Sequence, residues 1–435
     1  MNIFIIWITT IFCVMAEFVR EEINPYIEAQ KNNKQWQSVH GYVQVRPGAH
    51  AFYWFFYAEG TIVDARSKPI IIWIQGGPGF AASGIGNFAE LGPLTMDMQP
   101  RNHTWVKKRN VLFIDHPVGS GFSYVTDNTL YAKTDREVAM DLSKVIKVFF
   151  RRHKTFRKAP TYLFSQSYGG KICPRLAFYL HTAIEKKSLK MNFKGIGIGS
   201  GWVDPKESIS VQPDMLYLSG AIDRNLYLTS SRLAKKLVRS IETNDSAADH
   251  LDEVLFSTFN NQGEINFNNV YAPSPYPALE ELEQKMNKYV KPTLTGVNQT
   301  RNWSFLSLKA YHNLKQSFLV PSVSFLESIL DRTKLKVAIY NGNLDVVTPL
   351  GGAVNWVHKL NWHGAGEFAL AKRHPIRGRG NGYYKEARRL SFWWVFGSGH
   401  WVPEENPEAM EQILDYVIED TKNTMNREKP TQNNI

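Results

Sequence analysis

Cysteine is almost absent. The 435-residue chain has two, Cys13 and Cys173, which excludes a small disulfide-stapled scaffold and leaves a hydrophobic core as the source of stability. No His-Glu-x-x-His is present, and His358 and His363 lack metal-site spacing, so no metal is implied. Gly195-Ile196-Gly197-Ile198-Gly199 is followed by Gly-Ser-Gly-Trp with no clean βαβ frame. It reads as a strand end near the functional site rather than a dinucleotide loop, and no cofactor is implied. Beyond residue 16 no run is long and apolar enough for a membrane anchor, so a soluble mature protein is expected. Internal repeats are also missing, which excludes a solenoid.

What is present suits a large globular protein. Hydrophobic residues make up 43% and aromatics 13%, enough for a sizeable core. The formal net charge is +11. Lys and Arg read as spread along the chain, and their densest group, Arg151-Arg152-His153-Lys154 with Arg157-Lys158, reads as a solvated helix end and loop rather than a nucleic-acid surface. Residues 1–16 are apolar or neutral and end in Val14-Met15-Ala16. They read as a secretory signal peptide, although their start carries no Lys or Arg; a buried N-terminal strand is the other reading. Four sequons, at Asn102, Asn244, Asn298 and Asn302, fit a secreted or lysosomal route and glycosylation.

Along the chain, 52–57, 69–74, 110–115, 162–164, 193–199 and 335–340 read as strands, rich in β-branched and aromatic residues. In 135–150, Val138, Leu142, Val145, Ile146 and Phe149 share one face of a helix. This alternation predicts an α/β fold with a mostly parallel sheet covered by helices on both faces. Residues 203–320 break the rhythm and are expected to form a helical cap inserted between core segments 17–202 and 321–422, with a flexible tail at 423–435.

The chemistry centres on Ser167, in Tyr162-Leu163-Phe164-Ser165-Gln166-Ser167-Tyr168-Gly169-Gly170. A short apolar strand runs into small residues and then a helix, which is the sharp turn of the Gly-x-Ser-x-Gly nucleophile elbow with Ser165 in the first glycine's place. A serine hydroxyl needs a base, and the base needs an acid to orient it. Asp345, in a turn after a strand, and His400, after the apolar run Phe392–Phe396, follow in the order Ser, Asp, His. The backbone N–H groups of Tyr168 and Gly77, the latter in Gln75-Gly76-Gly77-Pro78-Gly79, are the expected oxyanion donors. Cys173 reads as a buried core thiol.

These segments resemble the serine carboxypeptidase family of α/β-hydrolases. Matching blocks are Trp73-Ile74-Gln75-Gly76-Gly77-Pro78-Gly79, Glu90-Leu91-Gly92-Pro93, the run from Asp115 to Tyr124, Asn341-Gly342-Asn343-Leu344-Asp345 and Gly399-His400-Trp401-Val402-Pro403. Gln-Gly-Gly-Pro-Gly, Ser165 and the trailing Gly-Gly-Lys resemble the family's retinoid-inducible branch. The resemblance implies an α/β-hydrolase fold and release of C-terminal residues from peptides with a free carboxylate, without cofactor. It implies that Gln75, Glu90 and Gln166 hold that carboxylate and that Trp401 lines the pocket for the last residue. Two features depart from the family. Gln166 stands where a Glu is usual, leaving Glu90 without an acidic partner and predicting an altered pH dependence. Trp401 stands where Met is frequent and would reshape the pocket. An acyltransferase or esterase using the same three residues, or a secreted binding protein retaining the fold with weak activity, are the alternatives.

Overall fold

The computed structural model describes residues 24–32, 36–243, 245, 248–260, 265–378 and 380–418. The expected signal peptide, the sequon at Asn244 and the tail from 423 lie outside the described residues. Eleven strands form one sheet: β1 (Ser38–Arg46), β2 (Ala49–Phe56), β3 (Ile70–Ile74), β4 (Asn110–Ile114), β5 (Tyr124–Val125), β6 (Pro160–Ser167), β7 (Asn192–Gly201), β8 (Lys336–Gly342), β9 (Arg373–Pro375), β10 (Gly382–Ala387) and β11 (Leu390–Val395). Their order is β1-β2-β4-β3-β6-β7-β8-β11-β10-β9, with β5 paired to β2. The centre from β4 to β11 is parallel, and the antiparallel pairs lie at the two edges.

The central strands read as unbroken apolar runs because both faces are covered. In β3, Ile70, Ile72 and Ile74 enter one core while Ile71 and Trp73 enter the other, following the two-residue alternation of a strand. Helix α1 (Asp135–Arg152) lays Val138, Leu142, Val145, Ile146 and Phe149 on the first face. It starts at a capping box in which Thr134 and Glu137 satisfy each other's backbone N–H groups. Helix α2 (Tyr168–Glu185) follows β6 directly and packs on the same face. The glycine run 195–199 is the interior of β7, where a side chain at Gly197 would meet the Phe164 ring at 2.3 Å.

Between Gly201 and Lys336 the described residues form no named strand. They hold helices α3 (Pro205–Leu218), α4 (Arg224–Glu242), α5 (Ala248–Asn260), α6 (Tyr276–Lys285), α7 (Leu308–Phe318) and α8 (Val323–Arg332). Helices α3, α4 and α5 share a core of their own, including Ile209, Leu216, Leu237 and Phe259.

Candidate active site

Parallel strands deliver their carboxyl ends to one rim of the sheet, and β6, β8 and β11 deliver three of the expected residues there. Ser167 sits between β6 and α2 with φ 57° and ψ −127°. That left-handed conformation is costly for a residue with a Cβ, about 1–3 kcal/mol, and persists only where the surroundings enforce it. They do so here by crowding. A Cβ at Gly169 would lie 2.1 Å from the Ile74 carbonyl oxygen, and one at Gly76 would lie 2.6 Å from Ser167 Cβ. The first position of the motif escapes this constraint. Ser165 is fully buried, yet its hydroxyl donates to the Gly197 carbonyl at 2.9 Å, so a glycine is not needed there.

Asp345 and His400 meet as a buried pair, with Nδ1 of the imidazole 2.9 Å from Oδ2 of the carboxylate. The carboxylate also accepts from Thr348 N at 2.9 Å and Thr348 Oγ1 at 2.7 Å. Burial works against a charged imidazole, but the Asp345 charge and hydrogen bond outweigh it and hold His400 above the ordinary histidine value. With Nδ1–H donated to Asp345, Nε2 is the nitrogen left to act as base. Ser167 and His400 line the same cavity, about 510 Å³ in volume. No hydrogen bond joins them among the described residues, and such contacts commonly tighten only when substrate binds.

Tyr168 opens α2, so its N–H has no carbonyl one turn back to donate to. Gly77 lines the same cavity at φ 114°, and a side chain on it would strike the backbone nitrogens of Gly79 and Phe80 at 2.5 and 2.8 Å. The elbow is braced from behind. Tyr168 Oη donates to Asp135 at 2.8 Å, and the buried Lys171 ammonium pairs with the same carboxylate at 2.7 Å.

Beside the serine lies a cluster of buried polar groups. Gln75 Nε2 donates to Glu90 Oε1 at 2.9 Å, and the Trp73 indole donates to Gln75 Oε1. Glu90 Oε2 and Gln166 Oε1 are buried without a hydrogen-bond partner. Burial pushes the Glu90 carboxyl up to about 8, against the opposing influence of the Gln75 bond and of nearby His400. Glu90 is therefore a neutral acid at pH 7. Repulsion from a second carboxyl, which Gln166 cannot supply, is not what keeps it protonated; removal from water is the largest cause.

Trp401 lines the cavity and packs with Ile85, Ala89 and Leu279. Cys173 is buried, with its thiol pushed up to about 12 by desolvation, and is unsuited to react. Asn102, Asn298 and Asn302 are exposed. Several positioning groups were missed in the sequence. Thr348 holds Asp345. The Glu405 carboxylate accepts from Gly399 N at 2.9 Å and fixes the histidine loop, whose His400 N–H donates to the Asn268 carbonyl at 2.6 Å. The segment between β7 and β8 supplies Phe267, Leu306, Leu308 and Tyr311 to the cavity wall. Thr348, three residues after the acid, carried a usable signal as a turn-forming hydroxyl; the residues of that segment carried none.

The family model described as serine carboxypeptidase matches residues 25–420. The chain belongs to the serine carboxypeptidase family. It is 30% identical to serine carboxypeptidase-like 51 of Arabidopsis thaliana over 440 aligned residues, covering 91% of this chain and 95% of the relative. It is 29% identical to the human (Homo sapiens) retinoid-inducible serine carboxypeptidase, covering 89% and 92%. Among solved structures, the prohormone-processing carboxypeptidase Kex1Δp of Saccharomyces cerevisiae superposes with a TM-score of 0.78 at 20% identity, covering 91% of this chain and 94% of that one. The fold is that of the α/β-hydrolases.

Proposed function

We propose that this protein is a serine carboxypeptidase that acts in the secretory pathway, either outside the cell or in the lysosome. The observation that carries the reading is the cavity that joins Ser167 and the buried Asp345–His400 pair to a cluster of neutral polar groups. Ser167 Oγ attacks the last peptide carbonyl while His400 Nε2 takes its proton. The N–H groups of Gly77 and Tyr168 hold the oxyanion. His400 then protonates the departing amine, and the C-terminal amino acid leaves. Water, deprotonated by His400, cleaves the acyl-enzyme and restores Ser167. Asp345 orients the ring and stabilises the imidazolium.

Recognition of the substrate's carboxylate falls to Gln75, Glu90 and Gln166. A protonated Glu90 and the Gln166 amide both donate to an anion without a charge of their own to desolvate. The indole of Trp401 limits the pocket for the last side chain. Residues 203–320 act as the cap, and Asn102, Asn298 and Asn302 are surface positions suited to glycans; the signal peptide completes this reading.

The test is incubation of the protein with N-blocked dipeptides and free peptides between about pH 4 and 8, the range over which carboxyl and imidazole groups titrate. Mass spectrometry follows the released residue, and a fluorophosphonate reports on Ser167. Release of single C-terminal residues, absent in Ser167→Ala, is expected. Turnover of esters without peptide trimming would assign an esterase or acyltransferase instead, and an unlabelled Ser167 would assign a binding protein. Gln166→Glu, which restores a second carboxyl, is expected to change the pH profile of kcat/KM; superimposable profiles would remove Gln166 from the carboxylate site.

A further inference from the structure

The pole of the sheet opposite the catalytic rim carries the chain's charge. Residues 151–194 contain eleven Lys and Arg against one Glu, a surplus of ten out of a net charge of +11 for the whole chain. The densest basic group named from the sequence, Arg151 to Lys158, is thus one part of a larger basic region. Lys171 and Arg175 face inward, one paired with Asp135 and the other stacked over Phe325. The other nine sit at the C-terminal ends of α1 and α2 and the starts of β6 and β7, which the topology gathers at one end of the sheet. There Lys154, Arg157, Lys158 and Lys190 line an open cleft of about 640 Å³ with Thr155, Met191 and Asn192, and no carboxylate. Asn192 Nδ2 donates to the Lys158 carbonyl at 2.9 Å and ties the two lips together.

Helix ends explain part of this charge. Arg151 and Arg152 complement the last turn of α1, and Arg157 Nε donates to the Phe150 carbonyl at 2.9 Å. The lysines have no such task. Among the described residues the side chains of Lys154, Lys158 and Lys190 make no ion pair and no hydrogen bond, and all three are exposed. Like charges gathered without counter-ions repel one another, and an anion in the cleft would relieve that repulsion.

We propose that this cleft binds a linear sulfated polysaccharide, holding the protein on a polyanionic matrix with its catalytic rim facing away. The cleft is shallow and wide open to solvent, so a long polymer can lie across it without threading. None of the exposed large hydrophobic side chains falls within 151–194, which disfavours insertion into a membrane. Phe156 is buried and Phe193 half-buried, so the cleft presents no exposed ring for base stacking. What is left is point charges spaced along a groove, which suit sulfate groups repeating along a chain.

The test measures binding of the full-length protein to heparin across a range of salt, by chromatography and by titration. The triple variant Lys154→Glu/Lys158→Glu/Lys190→Glu is compared with Lys235→Glu/Lys236→Glu/Lys372→Glu, which makes the same charge change at exposed sites elsewhere. The cleft variant is expected to lose at least tenfold in affinity and to lower the slope of log Kd against log salt by about 3, roughly one unit per removed contact. Its thermal midpoint and hydrolytic activity should be those of wild type, since the cleft is at the far pole. An equal loss in the control variant would reduce the effect to net charge and overturn the proposal. So would tighter binding to single-stranded DNA of matched charge, or to phosphatidylserine vesicles, at the same ionic strength.

Discussion

The two walls of the active-site cavity are built on different principles. One is made of strand ends, where Gly76 abuts the Ser167 side chain, Gly169 abuts the Ile74 and Gln75 carbonyls, and Asp345 is fully buried. The other comes from the segment between β7 and β8, where Leu308 is 59% exposed and Tyr311 half-buried. The second wall is laced to the first by main chain and side chains alike: Val346 and Val347 donate to the Phe267 carbonyl at 3.0 and 3.1 Å, His400 donates to that of Asn268 at 2.6 Å, Gln212 Nε2 donates to the Val346 and Val347 carbonyls at 3.2 Å, and Asn269 Nδ2 donates to Glu405. The main-chain part of that lacing is indifferent to side-chain identity. The first wall fixes the reaction, and the second is free to change what the reaction is applied to.

The sharpest test of that division removes chemistry while keeping shape. Asp345→Asn preserves volume but favours the wrong tautomer of His400. It is expected to lower kcat by about 10⁴-fold, the loss this change produces in a Ser-His-Asp triad, with substrate binding nearly unchanged. A pre-steady-state burst with an ester substrate separates the two terms; a loss below about tenfold would show that the buried pair does not orient the base.

Next in size is Gly169→Ala, which attacks the rigid wall through sterics alone. The added methyl would sit 2.1 Å from the Ile74 carbonyl and 2.6 Å from that of Gln75. Overpacking of this kind costs about 1–3 kcal/mol or more. A fall in the urea midpoint, with loss of fluorophosphonate labelling in the fraction still folded, is the expected result. Full activity at unchanged stability would mean that the elbow is softer than its geometry implies.

A third variant probes the neutral cluster at the seam between the walls. Glu90 has its carboxyl at about 8, above its ordinary value, because it is buried. The sign follows: below about pH 8 the acid donates to a substrate carboxylate, and above it the donor is lost and a second negative charge appears. kcat/KM for peptides with a free C-terminus should therefore fall as pH rises through about 8, while Glu90→Gln, neutral at every pH, should show no fall. Linkage gives a second readout. A raised folded-state value means stability that is complete below the unfolded carboxyl value near 4.5 and is lost progressively up to about 8. The melting temperature of Glu90→Gln should then gain on wild type over that interval. A gain that is absent or reversed would mean that Glu90 is ionised in the fold.

The same division explains what could be read from the sequence. Strands β3, β4, β6 and β8 were legible because burial on both faces forces continuous apolar runs, and Ser167, Asp345 and His400 because sheet topology fixes their order and strand-end setting. Ser165 blurred the elbow, since the hydrogen bond to Gly197 that replaces a glycine is invisible in one dimension. The raised carboxyl of Glu90 was not legible either, because it comes from depth in the fold. The wall between β7 and β8 was illegible because its cavity-lining residues, Phe267 on a loop and Leu308 and Tyr311 on α7, come from separate elements that only the fold brings together. The basic cleft joins residues near 155 to Lys190 across one strand and a helix, so the sequence showed only one of its lips.

The smallest expected effect is in that second wall. Tyr311 lies on α7 and lines the cavity, with its ring 6.1 Å from that of Phe318. It contributes contact area to bound peptide but stands on an element that holds none of the reacting groups. Truncation in Tyr311→Ala should weaken ground state and transition state alike, raising KM several-fold for peptides with a large residue near the scissile bond, about 1 kcal/mol of uniform binding. kcat should stay within about twofold, and small substrates should be affected least. A drop in kcat of tenfold or more with KM unchanged would collapse the distinction between the walls, because the segment between β7 and β8 would then act on the transition state itself, through the His400–Asn268 lacing rather than through contact with the substrate.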